Sequence, residues 1–258
     1  MTAFACVTVN QSALAETGLL DHGIQFRVPP RPPTANGGRP VRRVDLGSRS
    51  PCGEHTGYLS ALLPSPDVTD QLLTLSEHPG VAVYVPFEAN SIQAMTFELW
   101  RVDETGQFAY ELTLPLIPTQ QLPGVVRVSL PDTTPPLEIN HTYNWSLSVT
   151  CEDPALDPEP LTVTGTLQRV TASPQLVQTL ADASTLPAVA AAYAEAGIWY
   201  DALATLGSLY QAEPGNPSVA ADWASLLSVL EIDLSDLGID FDETDISAYP
   251  PVDCCSPE

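Results

Sequence analysis

The chain has 258 residues, of which 32 are acidic and nine basic, giving a net charge of −23. All nine basic residues are arginine; there is no lysine. That balance opposes nucleic acid and anionic lipid as partners, since long-range repulsion slows encounter, and the missing lysine removes Schiff-base chemistry. A chain this long buries a full core without help, so folding requires no metal and no cofactor is expected.

In chain order, Ala3 to Val9 is apolar and Ala13-Leu14-Ala15 before Glu16 has the small-x-small form of a signal-peptidase site. Residues 1–15 therefore read as the remainder of a signal peptide, with Cys6 leaving alongside it, and a periplasmic or extracellular location is expected. No run approaches the roughly 20 apolar residues that span a bilayer, so a membrane-embedded protein is not expected.

Residues 16–50 hold Pro29, Pro30, Pro32, Pro33 and Pro40 with Gly37 and Gly38, too many breakers for a helix or central strand, which predicts an extended arm. The arm also carries Arg27, Arg31, Arg39, Arg42, Arg43 and Arg49, whereas no basic residue follows Arg169. Solvation alone accounts for such a block. The sharper expectation is that Arg27, Arg31, Arg39, Arg42 and Arg43 bind an acidic surface of a partner or of the chain itself.

Residues 51–170 change to short runs rich in β-branched and aromatic residues, bounded by Pro, Gly, Asn and Asp and spaced roughly ten apart, as in an antiparallel β-sandwich. The predicted strands are 58–63, 71–76, 81–87, 94–102, 107–116, 124–130, 142–151 and 161–170. Tyr143, Trp145, Leu147 and Val149 alternate with Asn144, Ser146, Ser148 and Thr150, so one face is buried and the other wet. Asp103-Glu104-Thr105-Gly106 is a short hairpin connection, which predicts antiparallel pairing of 94–102 with 107–116.

Over residues 171–231 the period changes to about 3.6, with Pro174 and Pro187 placed for first helical turns. Leu186, Val189, Ala190 and Tyr193 mark one helix; Ala202, Leu203, Leu206, Leu209 and Tyr210 a second; Val219, Trp223, Leu226, Leu227 and Leu230 a third. The fold class is thus α+β: a sandwich followed by a short antiparallel helical array. Tyr193, Gly197, Ala202 and Pro214 fall at the spacings of a tetratricopeptide repeat. A lone repeat cannot bury both faces, so it is expected to pack on the third helix and the sandwich.

Residues 232–258 form an acidic tail. Asp240, Asp242 and Asp245 are weak calcium candidates, because the segment lacks the central glycine and terminal glutamate of an EF-hand and reads first as a solvated tail. Cys254 and Cys255 lack the further ligands of a metal site and read as accessory. Cys52 precedes the first strand and Cys151 closes a late one, which would let a disulfide tie the arm to the sandwich. Two buried free thiols are the alternative, since sequence position cannot establish the required Cα separation of about 4.4–6.8 Å.

Ordered blocks from about Arg49 to Leu230 resemble an uncharacterised, mainly cyanobacterial family known as domain of unknown function 928. They are Arg49-Ser50-Pro51-Cys52, Leu59-Ser60-Ala61-Leu62-Leu63-Pro64, His78-Pro79 leading to Tyr84-Val85-Pro86, and Pro123-Gly124-Val125-Val126 with Leu130-Pro131. Tyr143-Asn144-Trp145 with Cys151 follows, then Gly197-Ile198-Trp199-Tyr200-Asp201-Ala202-Leu203 before Trp223-Ala224-Ser225-Leu226-Leu227. The resemblance implies an exported envelope protein with a signal peptide and implies no particular activity.

No nucleophile elbow, phosphate loop, dinucleotide fingerprint or metalloprotease helix is present. His22 lies in the arm, and His55, His78 and His141 lack paired spacing and read as turn residues. Trp199-Tyr200-Asp201 is the richest aromatic cluster. Burial at a helix-to-sandwich joint accounts for it, but Trp199 and Tyr200 join the arginines as candidates for partner binding. The expected function is therefore a non-catalytic exported cell-envelope protein that binds another exported protein or a surface polysaccharide. A carbohydrate-binding sandwich, calcium-supported or not, is the alternative, motivated by Trp100, Tyr110, Trp145 and the acidic segment. A carboxylate-based hydrolase is the third reading and would need two converging acids.

Overall fold

The computed structural model describes residues 23–29, 44–45, 52, 58–65, 72–103, 105, 107–151, 160–230 and 245–254. The fold is α+β, with two five-stranded, mostly antiparallel sheets and four helices among the described residues. One sheet is ordered β1 (Val44–Asp45), β2 (Leu59–Ala61), β4 (Gly80–Val85), β7 (Gly124–Ser129) and β10 (Val252–Asp253). The other is ordered β3 (Leu73–Thr74), β9 (Leu161–Arg169), β8 (Thr142–Cys151), β5 (Ile92–Val102) and β6 (Phe108–Leu116). Each of the eight stretches predicted to be strands overlaps one of β2 to β9.

The alternation read from the sequence sets the faces of the second sheet. Met95, Phe97 and Leu99 on β5, Tyr143, Trp145, Leu147 and Val149 on β8, and Val163 and Leu167 on β9 are buried, while the residues between them point outward. Gly165 sits directly opposite Trp145, and a Cβ added there would lie 2.5 Å from the indole. The β5–β6 hairpin forms as predicted, with Leu99 opposite Leu112. Its turn is held by Asp103, whose Oδ1 accepts from the amides of Thr105 (2.8 Å) and Gln107 (3.1 Å).

In the first sheet β4 is buried from Val81 to Val85 on both faces, so it reads as a continuous apolar run. Gly80, Ala82 and Arg127 line a narrow crevice together with Leu203, Ala204, Trp223 and Pro251 of the C-terminal part. Helices thus pack on this sheet, and Asp201 and Tyr200 also anchor them to the other, so the fold joins two sheets and one helical layer. One apolar core runs through all three.

The helices are α1 (Pro174–Asp182), α2 (Leu186–Glu195), α3 (Trp199–Ala212) and α4 (Pro217–Leu227). Proline in the first turn and a capping side chain start three of them: Ser173 accepts from the Leu176 amide (3.1 Å), Thr185 from Ala188 (3.4 Å) and Asn216 from Ser218 (3.1 Å). Four helices stand where the periodicity predicted three. The first, α1, starts at Pro174 as that proline's placement predicted, but it buries only Leu176 and so leaves little apolar stripe in its sequence. Gly197 (φ +76°) ends α2, and the amide of Ile198 returns to the Tyr193 carbonyl at 2.9 Å, which turns the chain directly into α3. No helix among the described residues is long and apolar enough to cross a membrane.

Three boundaries differ from the sequence reading. The stretch predicted to be an arm supplies β1, which pairs with β2. Its residues 23–29 lie on the helices: Ile24 is buried, Phe26 meets Trp199 edge-on at 5.0 Å, and the Arg27 amide donates to Ala194 at 2.9 Å. Two apolar side chains at period two suffice to dock it. The acidic tail also returns to the body, with Ile246 buried, Tyr249 5.5 Å from Tyr84, Pro251 against Gly207, and β10 parallel to β7. Arg127 clasps this return, pairing with Asp253 at 2.6 Å while also donating to the Ala204 carbonyl (3.2 Å) and to Ser208.

Cys52 and Cys151 form a disulfide with a Cα separation of 5.0 Å across 99 residues of sequence. It joins Cys52, which lies ahead of β2, to the end of β8 in the second sheet. Cys254 is buried and disulfide-bonded rather than accessory. The predicted signal peptide 1–15 lies outside the described residues.

Candidate functional site

The aromatic pair at the start of α3 is core, which corrects the partner-binding expectation for Trp199 and Tyr200. Trp199 is wholly buried and its Nε1 donates to the Leu62 carbonyl at 3.1 Å. The Tyr200 hydroxyl accepts from Trp145 Nε1 (3.0 Å) and donates to the Thr166 carbonyl (2.7 Å). Burial pushes this phenol well above its ordinary range, against the lowering effect of the Trp145 bond, so it stays a neutral donor. Neither side chain reaches a partner because the first turn of α3 is wedged between the sandwich and residues 23–29.

Asp201, next in sequence, fixes the helix to β3. Its Oδ2 accepts from Thr74 Oγ1 at 2.8 Å and from the Leu75 amide at 3.0 Å. Desolvation raises its pKa and outweighs the opposing hydrogen bonds from Thr74 and Leu75. A carboxyl raised in the fold binds its proton more tightly there than in the unfolded chain, so folding gains stability as pH falls through the raised value and loses it as pH rises. Melting curves from pH 8 down to pH 4 should therefore show wild type gaining on Asp201→Asn as pH falls. Parallel pH profiles for the two proteins would refute this assignment.

Of the arginine candidates, Arg27 has an exposed side chain, while Arg31, Arg39, Arg42 and Arg43 lie outside the described residues. The sandwich arginines are each paired with an acid: Arg101 with Glu138 at 3.1 Å, Arg127 with Asp253, and Arg169 with Glu77 at 2.7 Å. His78 Nε2 meets the Thr134 carbonyl at 2.9 Å and His141 Nδ1 the Ile139 carbonyl at 3.1 Å, so both brace the β7–β8 connection. Asp245 caps the turn Ile246–Ala248 by accepting from the Ser247 amide at 3.0 Å; Asp240 and Asp242 lie outside the described residues. Among the described residues no three His, Cys, Asp or Glu side chains are grouped to hold a metal.

The outward face of the second sheet is chemically different. Three of the four tryptophans, Trp145, Trp199 and Trp223, are 0% exposed. Trp100 is only half-buried, and it points outward from β5 between Glu111 on β6 and Asn144 on β8, directly opposite each. The next positions along the face are Glu98, Thr113 and Ser146, again in register across the three strands. Ser146 Oγ donates to Glu98 at 3.3 Å, which orients that carboxylate. Toward the hairpin end Val102 pairs with Phe108, and they are 47% and 63% exposed. Strands about 4.8 Å apart and outward residues about 6.8 Å apart along a strand make this a regular grid.

Sequence reasoning had picked out Trp100, but together with Trp145 and Tyr110, which the fold separates from it. Trp145 is core, and Tyr110 faces inward on Tyr143 at 5.3 Å. Glu98, Glu111 and Asn144 become neighbours of Trp100 only through strand register. Alternation in each strand marked them as outward residues; nothing in the sequence paired them.

The architecture is that of a helix-backed β-sandwich with a polar, tryptophan-centred outer face. The chain belongs to the family described as Domain of Unknown Function (DUF928), whose model matches residues 44–238, from β1 past the end of α4. No curated protein and no solved structure matches it.

Proposed function

We propose that this protein is a non-catalytic, exported cell-envelope protein that binds another exported protein or a surface polymer through the outward face of its second sheet. The observation that carries the reading is the placement of Trp100. The partly exposed indole stands in line with Val102, which pairs with Phe108 and is exposed like it, so the three place apolar surface at this end of the face. The helices brace both sheets, the second through Asp201 on Thr74 and Tyr200 on Thr166, so the outer face stands on a packed support. The disulfide between Cys52 and Cys151 supports an oxidising compartment and hence export. The short α2–α3 hairpin turning at Gly197 supports the tetratricopeptide-like reading, as a brace rather than as the binding surface.

Glu98 and Glu111 are diagonal neighbours, which raises the hydrolase reading, but they stand on an open sheet face rather than in a groove that excludes water. Binding is favoured for that reason. Co-sedimentation of the purified protein with envelope fragments tests the proposal. Wild type should pellet with the fragments, and a variant combining Trp100→Ala and Phe108→Ser should remain largely in the supernatant while melting at a similar temperature. Equal pelleting of both proteins would remove this face from the binding reading.

A further inference from the structure

We infer that the ligand of this face is a neutral polysaccharide, bound with a sugar ring stacked on Trp100 and its hydroxyls held by Glu98, Glu111 and Asn144. The inference rests on the proposed binding role of the face and specifies its partner. Its first support is the state of the polar groups around the indole. Among the described residues, the Trp100 Nε1–H, the Asn144 amide, the Glu111 carboxylate and the Thr113 hydroxyl have no hydrogen-bond partner within the protein, and Glu111 and Asn144 stand directly opposite this partly exposed indole. A sugar matches that set, since its axial C–H face is apolar and its rim carries hydroxyls that both donate and accept. An apolar protein patch would leave the two carboxylates and the amide desolvated without partners, which is costly.

The second support is charge. Glu98 and Glu111 flank Trp100, and no arginine or histidine stands on the face among the described outward positions of β5, β6 and β8. Carboxylates accept hydrogen bonds strongly from neutral hydroxyls and repel sulfated or uronic sugars at contact. The repulsion that matters here is local, because at 0.15 M salt the protein's overall charge is screened beyond about 8 Å.

Affinity gel electrophoresis at 0.15 M salt, with neutral glucan or mannan set against alginate in the gel, tests the inference on the full chain. Wild type should be retarded by a neutral polymer and run unhindered through alginate. Trp100→Ala should weaken retardation by about tenfold or more, and Trp100→Phe by less, which separates ring stacking from a folding defect. The variant combining Glu98→Gln and Glu111→Gln should weaken neutral binding and also admit alginate, a change of selectivity that simple misfolding does not produce. Retardation by alginate equal to or greater than that by the neutral polymers would overturn the inference, and so would shortening of the polymer on incubation. If wild type pellets with envelope fragments through this face yet no polysaccharide retards it, the glycan assignment fails and a protein partner remains. If it does neither, the binding role of the face fails as well.

Discussion

Replacing Cys52 and Cys151 together by serine is expected to lower the unfolding free energy by about 4–5 kcal/mol, the chain-entropy value for a loop near 100 residues. The bridge closes 99 residues of sequence and ties Cys52, which lies ahead of β2, to the end of β8 in the second sheet. Without it the unfolded chain recovers the freedom of that whole loop, which contains most of the sandwich. Urea unfolding of the two proteins under non-reducing conditions measures the difference as a shift in midpoint. The double substitution is preferable to a reductant because Cys254 is also disulfide-bonded, and reduction would break both links. A loss below about 1 kcal/mol would mean that strand pairing alone confines the loop in the unfolded ensemble, contrary to the entropic account.

The second large effect is expected at Gly165→Ala. The added methyl would lie 2.5 Å from ring atoms of Trp145, a side chain with no exposure whose Nε1 is anchored on Tyr200. The indole cannot swing outward past β8, so the strands must part or the Tyr200 bond must break, at a cost of about 2–3 kcal/mol. Trp145→Phe alone leaves a cavity and removes the donor to Tyr200. Combined with Gly165→Ala, the smaller ring accepts the new methyl, and the pair should be more stable than the sum of the single losses by about 1 kcal/mol or more. Strict additivity in equilibrium unfolding would show that the two residues do not compete for the same space.

The long strands of the second sheet were legible because they bury one face, and burial writes period two into the sequence: Tyr143 to Thr150 alone reveals which face of β8 is core, whereas β4, buried on both faces, was legible as an apolar run. β1 and β10 were not legible. Two residues carry no period, and each is a strand only because a partner edge accepts it. Residues 23–29 failed differently, since the surrounding prolines outweighed Ile24 and Phe26, the two side chains that decide where the segment lies. Composition likewise assigned residues 245–254 to a solvated tail, although Ile246, Tyr249 and Pro251 are the residues that dock it. The binding face shows the deepest limit. Trp100 stands among Glu98, Arg101 and Asp103 on the outer row of a strand, whereas Trp199 stands among Ile198, Tyr200 and Ala202 on a helix turn and is wholly buried. Alternation along β5 already places Trp100 on the outward row, but gathering Glu98, Glu111 and Asn144 around it needs the register of three strands.

The parallel docking of β10 against β7 also bears on how the chain is made. Arg127 and its partner Asp253 are 126 residues apart. At roughly 5–20 residues per second, synthesis takes on the order of 6–25 s to supply the cover after β7 has been made. Throughout that interval the outer edge of β7 stands with its ladder groups unpaired, able to be capped by a neighbouring nascent chain. Protection from such mispairing therefore arrives last, with ten residues that emerge after every other element of the sandwich.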